Sequence, residues 1–288
     1  MQRLYEIDLL RFLAAFAVML FHFAFRAPGQ GYGLMPYPAL LPMAQYGYLG
    51  VHLFFMISGF VILMTASGGS AKHFAISRIV RLYPAFMVCC TLTFLATIGF
   101  GAERYQATLP QYLVNMTMLN GFFNVLPIDG VYWTLYVEIR FYLLVFLIVL
   151  AGQIGKAKLL LGLWLIPALL TTTPLLRYIP AFIIPHEAPL FIAGAMFFLI
   201  HKEGFCLYKL FITLASLAAA LLAAALEAES KAWHHKIPFD FTVIGSVLVV
   251  FFIVFFLLSA GRTAWISSKR WAYLGALTYP LYLIHHNV

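Results

Sequence analysis

Residues 238–260 read PFDFTVIGSVLVVFFIVFFLLSA, a run in which Asp240 is the one charged side chain. An α-helix rises about 1.5 Å per residue, so a run near 20 residues long spans the roughly 30 Å hydrocarbon core of a bilayer. Working outward from it, similar apolar runs recur at about 7–26, 44–66, 82–100, 132–152, 158–174, 187–201 and 206–226. A ninth begins near Trp271 and reaches the last residue, Val288. The expected fold is all-α: a polytopic transmembrane helix bundle of eight complete spans and a partial ninth. It forms a single domain over residues 1–288, expected to be incomplete at the C-terminus.

The bulk composition agrees. Hydrophobic residues make up 64% of the chain and charged ones only 10%, against about 25% charged in soluble domains. So few charges could not cover a water-exposed surface, and the bilayer is the expected partner. The net charge of +8 sits in connections between apolar runs, which points to orientation rather than to nucleic acid. With the N-terminus inside, twelve Lys and Arg residues fall at inner ends. Five fall at outer ends (Arg26, Arg104, Arg177, Lys231, Lys236), and Arg140 lies within a span. The excess favours a cytoplasmic N-terminus. The first run contains Arg11 and His22 and no A-x-A site follows it, so it reads as a retained helix and not a cleaved leader. Cys89, Cys90 and Cys206 form no disulfide or zinc pattern, and no metal site is expected.

The longest connection is 101–131. Its apolar middle, Tyr112 to Val125, is broken by Asn115, Asn120 and Gly121 and reads as an interfacial segment. Asn115-Met116-Thr117 matches a glycosylation sequon, a triplet that also arises by chance. The stretch 27–43 is rich in Pro, Gly and Tyr and reads as irregular. No internal repeat of the kind many transporters show is visible.

An ionisable residue inside a span is costly, so it is a functional candidate. The first run holds Asp8, Arg11 and His22. Arg11 and His22 are eleven residues apart, three turns plus about 20°, so they share a face roughly 16 Å apart along the axis. A pantetheine arm is of that order of length. The plainer readings are an Asp8–Arg11 ion pair at the interface and a His22 that hydrogen-bonds across the bundle. Arg78 and Arg81 lie at i and i+3 on one helical face. Two guanidinium groups aimed together can grip a phosphate through paired hydrogen bonds. The alternative is positive-inside anchoring. Tyr83-Pro84 follows, where a helix admits proline in its first turn. In the run from Tyr132-Trp133-Thr134, Glu138 lies at about the depth of His22, where a carboxylate can orient an imidazole. Its rival is a structural pair with another helix. Gly50, Ser58 and Gly59 in the second run suit close helix packing and a cross-helix hydrogen bond. His285 and His286 close the last run, and one of them is expected to face the bundle.

Together these segments resemble the acyltransferase 3 family of integral membrane acyltransferases, over essentially the whole chain. The resemblance rests on Ile7-Asp8-Leu9-Leu10-Arg11 with ten residues before His22, Gly50 to Phe60, Arg78-x-x-Arg81-Leu82-Tyr83-Pro84, Tyr132-Trp133-Thr134-Leu135 through Glu138 to Phe141-Tyr142, and Thr278 to His285. It implies transfer of acetyl or another short acyl group from cytoplasmic acyl-CoA to a hydroxyl of a cell-surface or lipid-linked carbohydrate. The protein would sit in the bacterial cytoplasmic membrane. Acetyl-CoA is then a co-substrate, and no cofactor is permanently bound. The family's arginine-to-histidine motif falls on Arg11 and His22, and its double-arginine motif on Arg78 and Arg81. His52 stands where members often carry an acid, and the chain stops where the family usually continues through a further helix.

The expected roles follow. Arg11, Arg78 and Arg81 bind acyl-CoA, and His22 acts with Glu138 in catalysis, as a general base or a transient acyl carrier. Asp8, Ser58, Tyr83 and Trp133 support them. The rival from another class is a transporter or flippase of a lipid-linked sugar or small solute, using the same charges as a solute path. A non-catalytic scaffold is the third reading.

Overall fold

The structure is a computed structural model, and it describes residues 3–27, 38–101, 105–170, 181–184 and 186–286. Arg104 and Arg177, placed at outer ends above, lie outside the described residues, as does most of the stretch 27–43. Ten helices of seven or more residues are present among the described residues. They are α1 (Tyr5–Leu20), α2 (Gly50–Ala66), α3 (Ala71–Phe100), α4 (Leu109–Asn115), α5 (Trp133–Leu150), α6 (Ala157–Leu169), α7 (Ala188–Glu203), α8 (Leu207–His235), α9 (Phe241–Ser259) and α10 (Trp271–Ile284). Among the described residues no strand is present.

Part of the expected span count is visible as long apolar helices. Six helical stretches among the described residues are long and apolar enough to cross a membrane: Tyr5–Arg26, Leu41–Ala66, Ala71–Phe100, Gly130–Leu150, Leu207–Trp233 and Phe241–Ser259. The runs expected as spans at 158–174, 187–201 and from Trp271 fold as shorter helices of 13, 16 and 14 residues. Helix α7 lies inside the bundle. Every residue from Ala188 to Ile200 is buried, which is the pattern of a helix apolar all round and surrounded by protein. Its apolarity serves the bundle core rather than a lipid contact.

The core is built on α2 against α7, the most extensive helix pair. A Cβ at Gly59 would come 2.1 Å from the Phe191 carbonyl oxygen, and one at Gly194 would come 1.9 Å from that of Met56. Only hydrogen fits there, so the two backbones touch, as small residues allow in membrane helices. Gly50 does the same against the Ala14 carbonyl on α1, where a Cβ would lie 2.4 Å away. Helix α10 packs along α1 and carries the last residues back beside His22.

Two local features set the site. The Ala27 N–H bonds to the His22 carbonyl five residues earlier, so Phe21–Arg26 forms a π-helical continuation of α1. Such wide turns are frequent at functional sites. In the connection after α3, Asn115 is fully buried and its side chain is fully used. Its Nδ2 donates to the Gln111 and Leu126 carbonyls, and its Oδ1 accepts from the Ile128 N–H. It is a loop staple and not an accessible glycosylation acceptor. Leu109, Leu113, Phe122, Phe123 and Leu126 around it are exposed, in keeping with an interfacial segment.

Candidate active site

Two cavities lie in series along α1. The first, of about 630 Å³, is lined by Arg3, Arg11, Arg78 and Arg81 on the cationic side and by Asp8 and Glu138 on the anionic side, so guanidinium groups outnumber carboxylates by four to two. Asp8 is buried between two of them: Arg3 Nε donates to its Oδ2 at 2.9 Å, and Arg11 Nη1 lies 3.8 Å from its Oδ1. The hydrogen bond to Asp8 pushes the Arg3 guanidinium further up from its ordinary pKa. Gly275 on α10 leaves room for this cluster, since a Cβ there would meet Asp8 Oδ1 at 2.6 Å.

Arg78 is buried, and its Nη2 donates to Ser77 Oγ at 2.9 Å and to Thr65 Oγ1 at 3.4 Å, while its Nε has no partner. An unpaired buried guanidinium N–H is costly to leave unmade, which suits a group held ready for an anion. Arg81, three residues on, is exposed and opens the cavity to its surroundings. Opposite, Glu138 Oε1 accepts from Ser58 Oγ and from Tyr142 OH, each at 2.5 Å. Tyr142 is one turn beyond Glu138 on α5, a spacing that puts both on one face. Arg140 turns away and stacks on the Tyr136 ring, 4.2 Å from its centroid.

The second cavity, of about 680 Å³, holds His22 and Arg26 from α1, His52 from α2, Trp133 from α5, and Glu227 and Lys231 from α8. Glu227 ties α8 to α2: its Oε2 lies 3.1 Å from His52 Nε2 and its Oε1 lies 3.4 Å from Lys231 Nζ. Lys231 in turn sits over the Tyr48 ring at 4.3 Å. The His22 ring packs against His286 and His285, with centroids 4.7 and 5.0 Å away. His286 is held by fully buried Asp129, whose Oδ1 lies 3.1 Å from its Nδ1, while Arg26 Nη1 donates to its Nε2 at 3.3 Å.

Val51, Phe55 and Tyr282 line both cavities and form the partition between them. Tyr282 is fixed by a 2.9 Å bond between its hydroxyl and that of Thr134.

The sequence candidates therefore fall into two groups. Asp8, Arg11, Ser58, Arg78, Arg81 and Glu138 meet in the first cavity, and His22 and Trp133 line the second. The expected contact between Glu138 and His22 is absent from the hydrogen bonds described: Glu138 is held by Ser58 and Tyr142, and the carboxylate nearest the His22 ring cluster is Asp129 through His286. Tyr83 lines neither cavity, and its hydroxyl donates to the Thr117 carbonyl at 2.6 Å, tying α3 to the connection that follows it. Sequence reasoning missed Tyr142, Asp129, Glu227 and Lys231. Tyr142 could have been found from its i+4 spacing to Glu138. The others come from distant segments, and only the fold brings them in.

A family model described as an acyltransferase domain, the acyltransferase 3 family, matches residues 4–288. The chain belongs to that family. Among curated relatives of this acyltransferase 3 protein is one named "Putative acetyltransferase ORF330" from Acidianus two-tailed virus, 24% identical over 259 residues that cover 85% of this chain and 75% of the relative. Another is "Nodulation protein 10" of Rhizobium leguminosarum bv. viciae, 32% identical over 114 residues, or 33% of this chain and 31% of the relative. No solved structure matches the chain. The family and the apolar helices make this acyltransferase 3 protein an integral membrane acyltransferase.

Proposed function

We propose that the protein moves an acetyl or other short acyl group from acyl-CoA to a hydroxyl of a cell-surface or lipid-linked carbohydrate. The observation that carries this reading is the pair of cavities: four guanidinium groups converge on one, His22 lines the other, and three shared side chains separate them. A nucleotide phosphate suits Arg78, Arg81 and Arg11. From there the pantetheine arm needs to travel roughly 16 Å along α1 to bring its thioester to His22. The arginine cavity opens to the cytoplasm, the source of acyl-CoA, and the N-terminus lies on that side of the cytoplasmic membrane. The acceptor enters from the histidine side.

In the direct route, His22 takes the proton of the acceptor hydroxyl as its oxygen attacks the thioester carbonyl. The C–S bond breaks, and the imidazolium returns that proton to the departing CoA thiolate. In the covalent route, the neutral His22 imidazole attacks first, the C–S bond breaks, and the imidazole N–H proton leaves with CoA as the thiol; the acceptor oxygen then takes the acyl group, displacing the imidazole, which recovers its proton from the hydroxyl. Both balance, and both require His22. Glu138, held by Ser58 and Tyr142, stands at the arginine side, where it shapes the donor cavity and meets the arm rather than the imidazole.

Label transfer tests the reading. Protein reconstituted in liposomes with acetyl-labelled acetyl-CoA and envelope glycans is expected to label the glycan, and the His22→Ala variant is not. Movement of a glycan across the liposome membrane without label would instead favour the transporter.

A further inference from the structure

Three imidazoles meet at the end of α1, and their nitrogens are not equally committed. His286 uses both: Nδ1 against Asp129 Oδ1 at 3.1 Å, and Nε2 accepting from Arg26 Nη1 at 3.3 Å. His285 uses one. Its Nδ1–H donates to the Tyr282 carbonyl at 2.8 Å, and a nitrogen that donates leaves the other as an acceptor lone pair. That lone pair, on Nε2, is buried and has no partner. On His22 the buried nitrogen without a partner is Nδ1, which leaves Nε2 as the one the cavity can reach. Two buried orphan nitrogens thus lie on rings whose centroids are 5.0 Å apart. One is fixed as an acceptor and the other is free to be a donor. Leaving both unmade costs about 1–3 kcal/mol each, and one bond between the two rings would satisfy both. His286 cannot serve, because its nitrogens are taken.

We propose that His285 is the positioning residue of His22: its Nε2 accepts from His22 Nδ1–H and so places the reactive lone pair of His22 on Nε2, facing the acceptor cavity. Tyr282 links the two jobs. Its carbonyl fixes the His285 tautomer, and its side chain forms the partition between the cavities. A carboxylate performs this service for a catalytic histidine in other enzymes, by holding one tautomer and one orientation. Here a neutral imidazole does it, in a setting where a second buried charge would be costly. The catalytic meaning of the bond rests on the reading of His22 given above. The bond itself does not.

The test is nitrogen-15 solid-state NMR on histidine-labelled protein in liposomes, with the His22 signals identified by their loss in His22→Gln. Wild type is expected to carry the His22 proton on Nδ1. His285→Leu, which removes the acceptor, should move that proton to Nε2. It should also lower kcat at least about tenfold while KM for acetyl-CoA stays put, since His285 lies outside the donor cavity. His285→Gln, whose amide oxygen can accept, should restore the tautomer and most of kcat. A wild-type His22 with its proton on Nε2 overturns the proposal, and needs no folded variant to do so. A slow His285→Leu enzyme with an unmoved tautomer also overturns it, because the role would then be structural. If the tautomer shifts as expected while His22→Gln transfers label normally, the bond stands and the reading of His22 as catalytic falls.

Discussion

The two cavities are of similar volume, about 630 and about 680 Å³, yet they are assembled in different ways. The arginine cavity is built from residues that local helical spacing already groups: Asp8 with Arg11, Arg78 with Arg81, Glu138 with Tyr142. The histidine cavity draws on segments far apart in the chain, with His22 near one terminus, His52 on α2 and Glu227 on α8, and the His22 ring is backed by His285 and His286 beyond α10, the latter held by Asp129 before α5. Charge is also handled differently. In the arginine cavity cations exceed anions, as a site for a phosphate requires. In the histidine cavity the carboxylate of Glu227 is shared between His52 and Lys231, and two cations, Arg26 and Lys231, balance two carboxylates, Glu187 and Glu227, in a wall that is otherwise largely apolar. On the function proposed above, a charged donor and a hydroxyl-rich acceptor would call for these two kinds of wall.

Mutations on the two sides should separate. The largest effect is expected from His22→Ala, which removes the proposed general base or acyl carrier and should lower the rate of transfer by roughly 10²–10⁴-fold. Binding of a non-reactive CoA thioether, measured by calorimetry, should be retained, and a simultaneous loss of binding would mean the cavities are not functionally distinct. Next is Arg78→Ala. Loss of a charge-assisted bond worth about 1.5–3 kcal/mol should raise KM for acetyl-CoA roughly 10–100-fold. Arg78→Lys should recover little of it, because a point charge does not reproduce the fork. An unchanged KM would remove Arg78 from the donor site.

Gly194→Ala addresses the scaffold that both cavities share. Its methyl meets the Met56 carbonyl, so the α2–α7 contact must open. Overpacking of this kind costs about 1–3 kcal/mol, to be read as a lowered thermal midpoint in detergent. An unshifted midpoint would show that the two helices do not touch there. The smallest effect belongs to Glu227→Gln. This ion pair is partly exposed, and such pairs contribute up to about 1 kcal/mol, so a change of a few-fold is expected in KM for the acceptor, with none for acetyl-CoA. An effect on the donor alone would reverse the assignment of sides.

What could be read before folding follows the same division. The motif Arg78-x-x-Arg81, the depth of Glu138 and the glycines at Gly50 and Gly59 are consequences of helix geometry, which fixes neighbours within a turn whatever the tertiary structure. The pairing of Glu138 with His22 was inferred from equal depth alone, and depth does not say which face of a bundle two helices share. Six of the expected spans are long apolar helices, and the other three runs hold shorter ones. Of these three, α7 is enclosed by protein, while α6 and α10 expose Leu159, Leu163, Ile166 and Leu277; an apolar run does not record which.

By itself, then, the sequence determined that this is an all-helical membrane protein of the acyltransferase 3 family with arginines one helical turn apart at Arg78 and Arg81, because hydrophobicity, helical period and short motifs are local properties. Only the tertiary structure decided that Glu138 answers to Ser58 and Tyr142, that Asp129 reaches the cluster through His286, and that His285 lies beside His22. Those choices depend on which helices pack together, and that is set by the fit of glycines against carbonyls and of rings against rings across the whole bundle.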